Sequence, residues 1–351
     1  MPTLAILTSG GDAPGMNTAV AAATKVATAA GLDVVGVEDG YDGLIDGRLR
    51  PLTPAALDGA WHRVGTLLGS ARSDRFRTQA GRARAAARAA DWMGLLVIGG
   101  NGSLTGAHLL HQEHGVPVVG LPASIDNDIG CTSFALGVDT ALNTIMEACD
   151  RISDTASSHR RMFIVEVMGR ECGYLAMAAS IATAADAVLF REQGKGEDAL
   201  VEDLRRVIRA AFSEERDKKR VLVLKAEGVE VPTAKLISRL EAHLDEDAPG
   251  VGIRATVLGH VVRGGPPSYR DRLLAGRLAY GAVGALLGGH AGVMAGWEPY
   301  GDAGVATPDP SVRLVPLHEV LEQTAALLDG SHPITKRRVR LLEAVQGVLP
   351  L

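Results

Sequence analysis

The chain has 351 residues, with 36 basic and 41 acidic side chains and a net charge of −5. At roughly 100–200 residues per domain, this length implies two domains or one large α/β domain. A composition of 46% hydrophobic and 22% charged residues excludes a mainly disordered chain, and the negative balance argues against general nucleic-acid binding.

Short apolar runs alternate with helix-length segments from the first residues onward. Leu4–Thr8 is a predicted buried strand, followed by a Gly10–Gly15 turn, an Ala-rich helix over Thr18–Ala30 and a second strand at Val34–Val37. Arg72 and Arg77 fall in a loop-like segment suited to phosphate. Arg82, Arg84 and Arg88 are expected on a solvated helix face. Further strands are predicted at Leu95–Ile98, Val118–Leu121, Phe163–Val167, Ala187–Phe190, Val221–Leu224, Ala255–Leu258 and Val293–Ala295. Between them lie helical patterns at Ser103–His114, Thr140–Arg151, Leu175–Thr183, Ala199–Phe212, Ala234–Leu244, Tyr269–Leu287 and Leu317–Leu328. Strands apolar on both faces and separated by helices indicate parallel sheets covered on two sides. Nine or ten strands are many for one sheet of ordinary size, so the expected fold is α/β: two Rossmann-like α/β/α lobes with mainly parallel sheets and a cleft between them.

Cys131, Cys149 and Cys172 show no CxxC spacing and cannot all pair, which argues against a disulfide scaffold or structural zinc site and fits a reducing cytoplasm. The start, MPTLAILTSGGD, lacks a basic segment and a long enough apolar run for a signal peptide. Apolar stretches break before the ~18–20 residues a membrane span needs. A cytoplasmic protein with neither membrane nor nucleic-acid partner is expected.

In an α/β sheet, ligands bind where carboxyl ends of strands meet helix N-termini. Four segments qualify here. Ser9–Asn17 and Gly99–Ser103 are glycine-rich strand-to-helix turns that together could cradle a polyphosphate, although the first matches neither the P-loop nor the GxGxxG pattern. Pro122–Asp128 carries Asp126 and Asp128, which in an extended segment would share a face; one would serve as general base and the other hold Mg²⁺, unless the pair is only a solvated turn. Arg161, Arg170, Arg254, His260 and Arg263 form a basic set; most arginines are surface salt-bridge partners, but Arg254 and Arg263 bracket an apolar strand beside tight glycine turns and are placed to fork onto a phosphate.

Taken together, GGDAPGMN, GSAR, GGNGS, IDND, SSH-R-R, VEVMGR, RATVLGH and RGG resemble the bacterial ATP-dependent 6-phosphofructokinase family, in the family's order from residue 9 to about residue 265. The resemblance implies phosphoryl transfer from ATP to the 1-hydroxyl of fructose 6-phosphate, giving fructose 1,6-bisphosphate in glycolysis. It puts Gly11 beside the transferred phosphoryl group. Tyr41, Arg72, Arg77 and the Gly100–Gly106 segment (Gly100, Asn101, Gly102, Ser103 and Gly106) would line the ATP site. Asp126 would be the base and Asp128 a Mg²⁺ ligand, with Asn101 at a second metal-associated position. Ser124, Met168, Gly169, Arg170 and Glu227 would hold the sugar, with Arg170 also counted as catalytic. Arg263 and His260 would grip the 6-phosphate, joined by Arg161 and Arg254 from a neighbouring subunit, which implies a homodimer or homotetramer. The expected division is residues 1–137 plus 260–311 as the larger nucleotide-binding lobe, and 138–259 plus 312–351 as the smaller sugar-phosphate lobe.

Small residues at Gly102 and Ala123, where pyrophosphate-using members carry Asp and Lys, favour ATP as donor. Three departures stand out: Asn101 replaces the usual Asp, Ala123-Ser124 replaces Gly-Thr, and Ala21 and Ser153 occupy two arginine positions of the effector site. Asn101 and the divergent C-terminal part leave two alternatives: a kinase of another sugar phosphate such as sedoheptulose 7-phosphate, or a catalytically weakened regulatory paralogue.

Overall fold

A computed structural model of the chain describes residues 1–216, 218–299 and 303–346. It divides into two compact units, one of Met1–Thr140 with Arg263–Ala326 and the other of Ala141–Val262 with Leu327–Leu351. In chain order the first unit begins with β1 (Thr3–Ser9), α1 (Met16–Ala29), β2 (Asp33–Val37), α2 (Gly40–Asp46), β3 (Leu49–Pro51), α3 (Asp74–Arg77), α4 (Gln79–Ala89), β4 (Trp92–Gly99), α5 (Asn101–His114) and β5 (Val118–Pro122). The long helix α6 (Val138–Ser158) leads into the second unit: β6 (Arg161–Val167), α7 (Tyr174–Ala182), β7 (Ala187–Leu189), α8 (Glu197–Ala211), β8 (Arg220–Ala226), α9 (Thr233–Glu241), α10 (Leu244–Asp247) and β9 (Gly252–Val257). The chain then returns through α11 (Tyr269–Leu287), β10 (Val293–Trp297), β11 (Val305–Ala306), β12 (Val312–Pro316) and α12 (Leu317–Leu328), and its last described helix is α13 (Pro333–Gln346).

The first unit holds an eight-stranded sheet in the order β11-β12-β10-β5-β4-β1-β2-β3. Its five central strands run parallel, and β3, β12 and β11 add antiparallel edges. Leu4, Ile6 and Leu7 of β1 and Leu95, Leu96 and Ile98 of β4 are fully buried, each worth about 1.5–3 kcal/mol relative to exposure. Register then fixes the site, because Ser9 pairs with Gly99 and Gly99 with Pro122. The turns leaving β1, β4 and β5 therefore emerge side by side.

The second unit has a parallel four-stranded sheet, β7-β8-β6-β9. Met162, Ile164, Val221 and Val223 meet Leu204 and Ile208 of α8 and Leu236 and Leu240 of α9 in one aliphatic cluster. The edge strand β9 departs from the buried apolar strand expected at Ala255–Leu258: Arg254, Ala255 and Val257 are exposed.

Three expectations need correction. Residues 312–326 fall in the first unit, because β12 pairs with β10 along Val312–Trp297 to Pro316–Val293; residues 347–351 lie outside the described residues. Arg82 is not on a solvated face. Its side chain is buried, with a bidentate pair to Glu113 at 2.7 Å and donations to the carbonyls of Phe76 and Arg77. Nor is the Asp126–Asp128 segment extended, because Asn127 sits at φ 51° and turns the two carboxylates to different partners.

Candidate active site

The first-unit constellation is built on the carboxyl ends of β1, β4 and β5. Asn127 sets the third turn: its Nδ2 donates to Ser133 O at 3.2 Å and its Oδ1 accepts from Ala135 N at 3.1 Å. Asp126, 2% exposed, then stands 3.9 Å from the Arg263 guanidinium. Arg263 is fixed in turn by a hydrogen bond from Nη1 to Asp12 O at 3.3 Å. A Cβ on Gly11 would come within 3.0 Å of Arg263 Nη1, so glycine there permits the arginine to close on the β1 turn.

Asp128 faces the β4 turn instead. Its Oδ2 accepts from Asn101 Nδ2 at 2.7 Å, and its Oδ1 from Ser124 Oγ at 3.3 Å. Asn101 Oδ1 is buried without a hydrogen-bond partner. A buried orphan acceptor beside a carboxylate suits a hard cation that takes oxygen ligands. No group of three or more His, Cys, Asp or Glu able to hold a metal occurs among the described residues. Such a cation would therefore have Asp128, the Asn101 carbonyl and ligand phosphates, the manner of Mg²⁺.

Asn101 also opens α5, whose N-cap Gly100 makes no side-chain cap bond, so its first amides remain available to an anion. Tyr41 supports this turn from below. Its hydroxyl donates to Ser103 O at 2.6 Å, and its ring stacks on Phe76 with centroids 3.9 Å apart. Burial pushes the phenol well above its ordinary pKa, so it remains a protonated donor. A Cβ on Gly106 would meet both rings at 2.9–3.0 Å, so the stack closes on α5 only because that position has no side chain. Gly102 is exposed with open space beside it, and Arg72 and Arg77 are exposed as well.

The second unit carries its own group. Glu227 Oε1 accepts the backbone N–H of Gly169 at 3.2 Å and of Arg170 at 2.7 Å, pinning a turn in which both residues have positive φ. Met168 is buried and the Arg170 side chain exposed. His260 lies past the carboxyl end of β9, at the same end of this sheet. Arg161 opens β6, and Arg254 registers with Phe163 near the other end. The unit thus separates Arg161 and Arg254 from Met168–Arg170.

The family-model comparison identifies residues 3–286 as Phosphofructokinase. The chain belongs to the phosphofructokinase family. Among its curated relatives, the ATP-dependent 6-phosphofructokinase 1 of Thermus thermophilus is 43% identical over 326 residues, 92% of this chain and 95% of that one. The ATP-dependent 6-phosphofructokinase of Thermotoga neapolitana is 47% identical over 296 residues, 84% of this chain and 89% of that one. The T-state phosphofructokinase of Pichia pastoris superposes with a TM-score of 0.86 at 32% identity, covering 98% of this chain; this chain spans 39% of that longer one. The pyrophosphate-dependent phosphofructokinase of Marinobacter aquaeolei, at 19% identity and TM-score 0.76 over 97% of this chain and 91% of its own, shares the fold.

Sequence reasoning missed the roles of Asn127 and Arg82, whose signals were an αL-tolerant Asn between two Asp and a lone Glu113 one helix away. Burial pushes the Cys131 thiol up to about 11 and Cys149 to about 12, so neither offers a thiolate at neutral pH. No helix of the described residues is long and apolar enough to cross a membrane.

Proposed function

We propose that the chain is an ATP-dependent 6-phosphofructokinase that transfers the γ-phosphoryl group of ATP to the 1-hydroxyl of fructose 6-phosphate. The observation that carries this reading is the pairing of Asp126 with Arg263 beside the glycine turn at Gly11. Asp126 accepts the proton of the sugar hydroxyl as it attacks. Arg170 is the arginine assigned to neutralise negative charge developing on the transferring oxygens, and the α1 and α5 amides receive the phosphates. The open space at Gly102 accommodates a nucleoside, which favours ATP over pyrophosphate. Mg²⁺ supplies charge neutralisation on the donor phosphates, and Asp128 with Asn101 would hold it.

The family resemblance assigns the sugar to Met168, Gly169 and Arg170, whose turn Glu227 sets, and to Ser124, and assigns its 6-phosphate to His260 and Arg263. Arg161 and Arg254 complete that phosphate site in another copy, so the working form is a homo-oligomer. The exposed apolar Val257 and Val261 around the β9 edge support this, since an uncovered edge strand is normally protected. The relatives' names favour fructose 6-phosphate over the alternative acceptors, and the intact Asp126–Arg263 pair speaks against a silent paralogue. The test is a kinetic matrix of ATP and pyrophosphate against fructose 6-phosphate and sedoheptulose 7-phosphate. ATP with fructose 6-phosphate should give the highest kcat/KM; absence of turnover with that pair sinks the reading.

A further inference from the structure

The chain leaves the first unit after Thr140 and re-enters it at Arg263, two of its three passages between units. Just inside each passage, in the first unit, a helix starts: α6 at Val138, which runs on into the second unit, and α11 at Tyr269. First-turn amides have no partner within their own helix. Here the start of α6 is completed by a side chain of α11, and α6 in turn holds the residue that caps α11. Asp271, fully buried, accepts from Gly137 N at 2.9 Å, Thr140 N at 2.8 Å and Thr140 Oγ1 at 2.5 Å. In return Ser268 N donates to Thr140 Oγ1 at 2.9 Å, and Ser268 Oγ donates to Asp139 Oδ2 at 2.7 Å. Ser268 Oγ also accepts from Asp271 N at 3.1 Å, which closes the network.

This clasp has two consequences for the site. Its α6 end packs on the β1 turn, because a Cβ on Gly137 would stand 2.9 Å from Ala13 Cβ and 3.0 Å from Pro14 Cδ. Its α11 end anchors the segment that carries Arg263. Only Gly264, Gly265, Pro266 and Pro267 separate that arginine from Ser268, and Arg272 Nε secures Pro267 O at 2.7 Å. Upstream of Arg263 the backbone belongs to the other unit. The clasp is therefore the first fixed point of its own unit that the arginine segment meets.

We infer that Asp271 is a positioning residue for sugar-phosphate recognition: by tying the first turns of α6 and α11 together, it holds Arg263 in register with Asp126 and the β1 turn. This rests on the kinase reading above. A buried carboxylate that only stabilised the fold would leave the two substrates equally affected when altered, whereas a positioning role acts on the sugar-phosphate side alone.

The experiment compares wild type with Asp271→Asn, Thr140→Val and Thr140→Ser. Asp271→Asn keeps the shape but turns one acceptor into a donor facing an N–H, and Thr140→Val removes the shared hydroxyl. Both should raise KM for fructose 6-phosphate at least fivefold while KM for ATP stays within twofold, and Thr140→Ser should restore wild-type behaviour. Amide exchange in peptides covering 263–268 should quicken at least tenfold in the first two variants. Folded variants with a lowered Tm but unchanged KM for fructose 6-phosphate overturn the inference, as does an equal rise in both KM values. Should Asp271→Asn fail to fold, the Thr140 pair decides. Wild type lacking turnover would defeat the kinase reading instead, and unchanged exchange at 263–268 overturns the clasp in either case.

Discussion

Replacing Asp126 by Asn keeps the side chain's shape beside Arg263 but removes the proposed proton acceptor. A positioned general base contributes about 10²–10⁴ in rate, so Asp126→Asn should lose that much kcat in a coupled ADP assay with Tm nearly unchanged; kcat within tenfold of wild type would remove Asp126 from the role. Asn101 presents the opposite experiment. Its amide donates to Asp128 Oδ2 at 2.7 Å, while its carbonyl oxygen is buried and unpartnered. Asn101→Asp puts a second carboxylate there, and like charges that close repel unless a cation lies between them. The metal-free variant should therefore melt lower than wild type, with Mg²⁺ restoring it and binding about tenfold more tightly by calorimetry, a gain of roughly 1.4 kcal/mol. A Tm indifferent to Mg²⁺ would show that the two side chains do not share a cation.

Among the elements, α4 and α5 are joined through Arg82, which meets Glu113 and two backbone carbonyls. Arg82→Ala leaves those carbonyls without their donor in a buried place, so unfolding by denaturant should show a loss of about 2–3 kcal/mol at neutral pH. The Arg82 hydrogen bonds hold the Glu113 carboxyl below its usual range. A depressed folded pKa means that the stabilisation is complete above the ordinary Glu value, near 4.3, and fades as pH falls through the depressed one. The gap between wild type and Arg82→Ala should narrow below about pH 4; a constant gap would assign the whole effect to the carbonyls. The same element shows where the sequence was readable. Alternation of apolar strands and helices located β1, β4, β5, β6 and β8 because both faces of each are covered. It missed β3, β11 and β12, short antiparallel strands towards the two margins of the sheet, of mixed polarity such as VRLVP, whose strand character comes from the neighbour they pair with. Arg82 read as solvated for a related reason, since its partner Glu113 lies on another helix, brought near only by packing. At the site, motif order named Asp126, Asp128 and Arg263, but the division of labour between the two aspartates depends on one backbone angle at Asn127.

At the scale of the whole molecule, the geometry of the second unit bears on how many chains the proposed sugar-phosphate site needs. Arg161 is the first residue of β6, and Met168–Arg170 follow its last, so seven strand residues at ~3.3 Å each put about 20 Å between them. Arg254, in register with Phe163, shares the Arg161 end. The two ends thus lie far apart along the strand, and on the proposed assignment each serves the sugar of a different copy. This makes a complementation experiment decisive. Asp126→Asn chains keep a working Arg254 but no base, and Arg254→Ala chains keep the base but offer their partner no arginine. Each alone should show little turnover at low fructose 6-phosphate. In randomly mixed oligomers, about one quarter of sites combine an intact Asp126 with an intact partner arginine, so co-expressed variants should recover about that fraction of wild-type activity. Hybrids isolated by two affinity tags that remain as inactive as their parents would show that Arg254 completes no neighbouring site. An arrangement that did recover would explain why β9, the strand that carries Arg254, is left with exposed apolar side chains: the face that donates the arginine is the face a second chain covers.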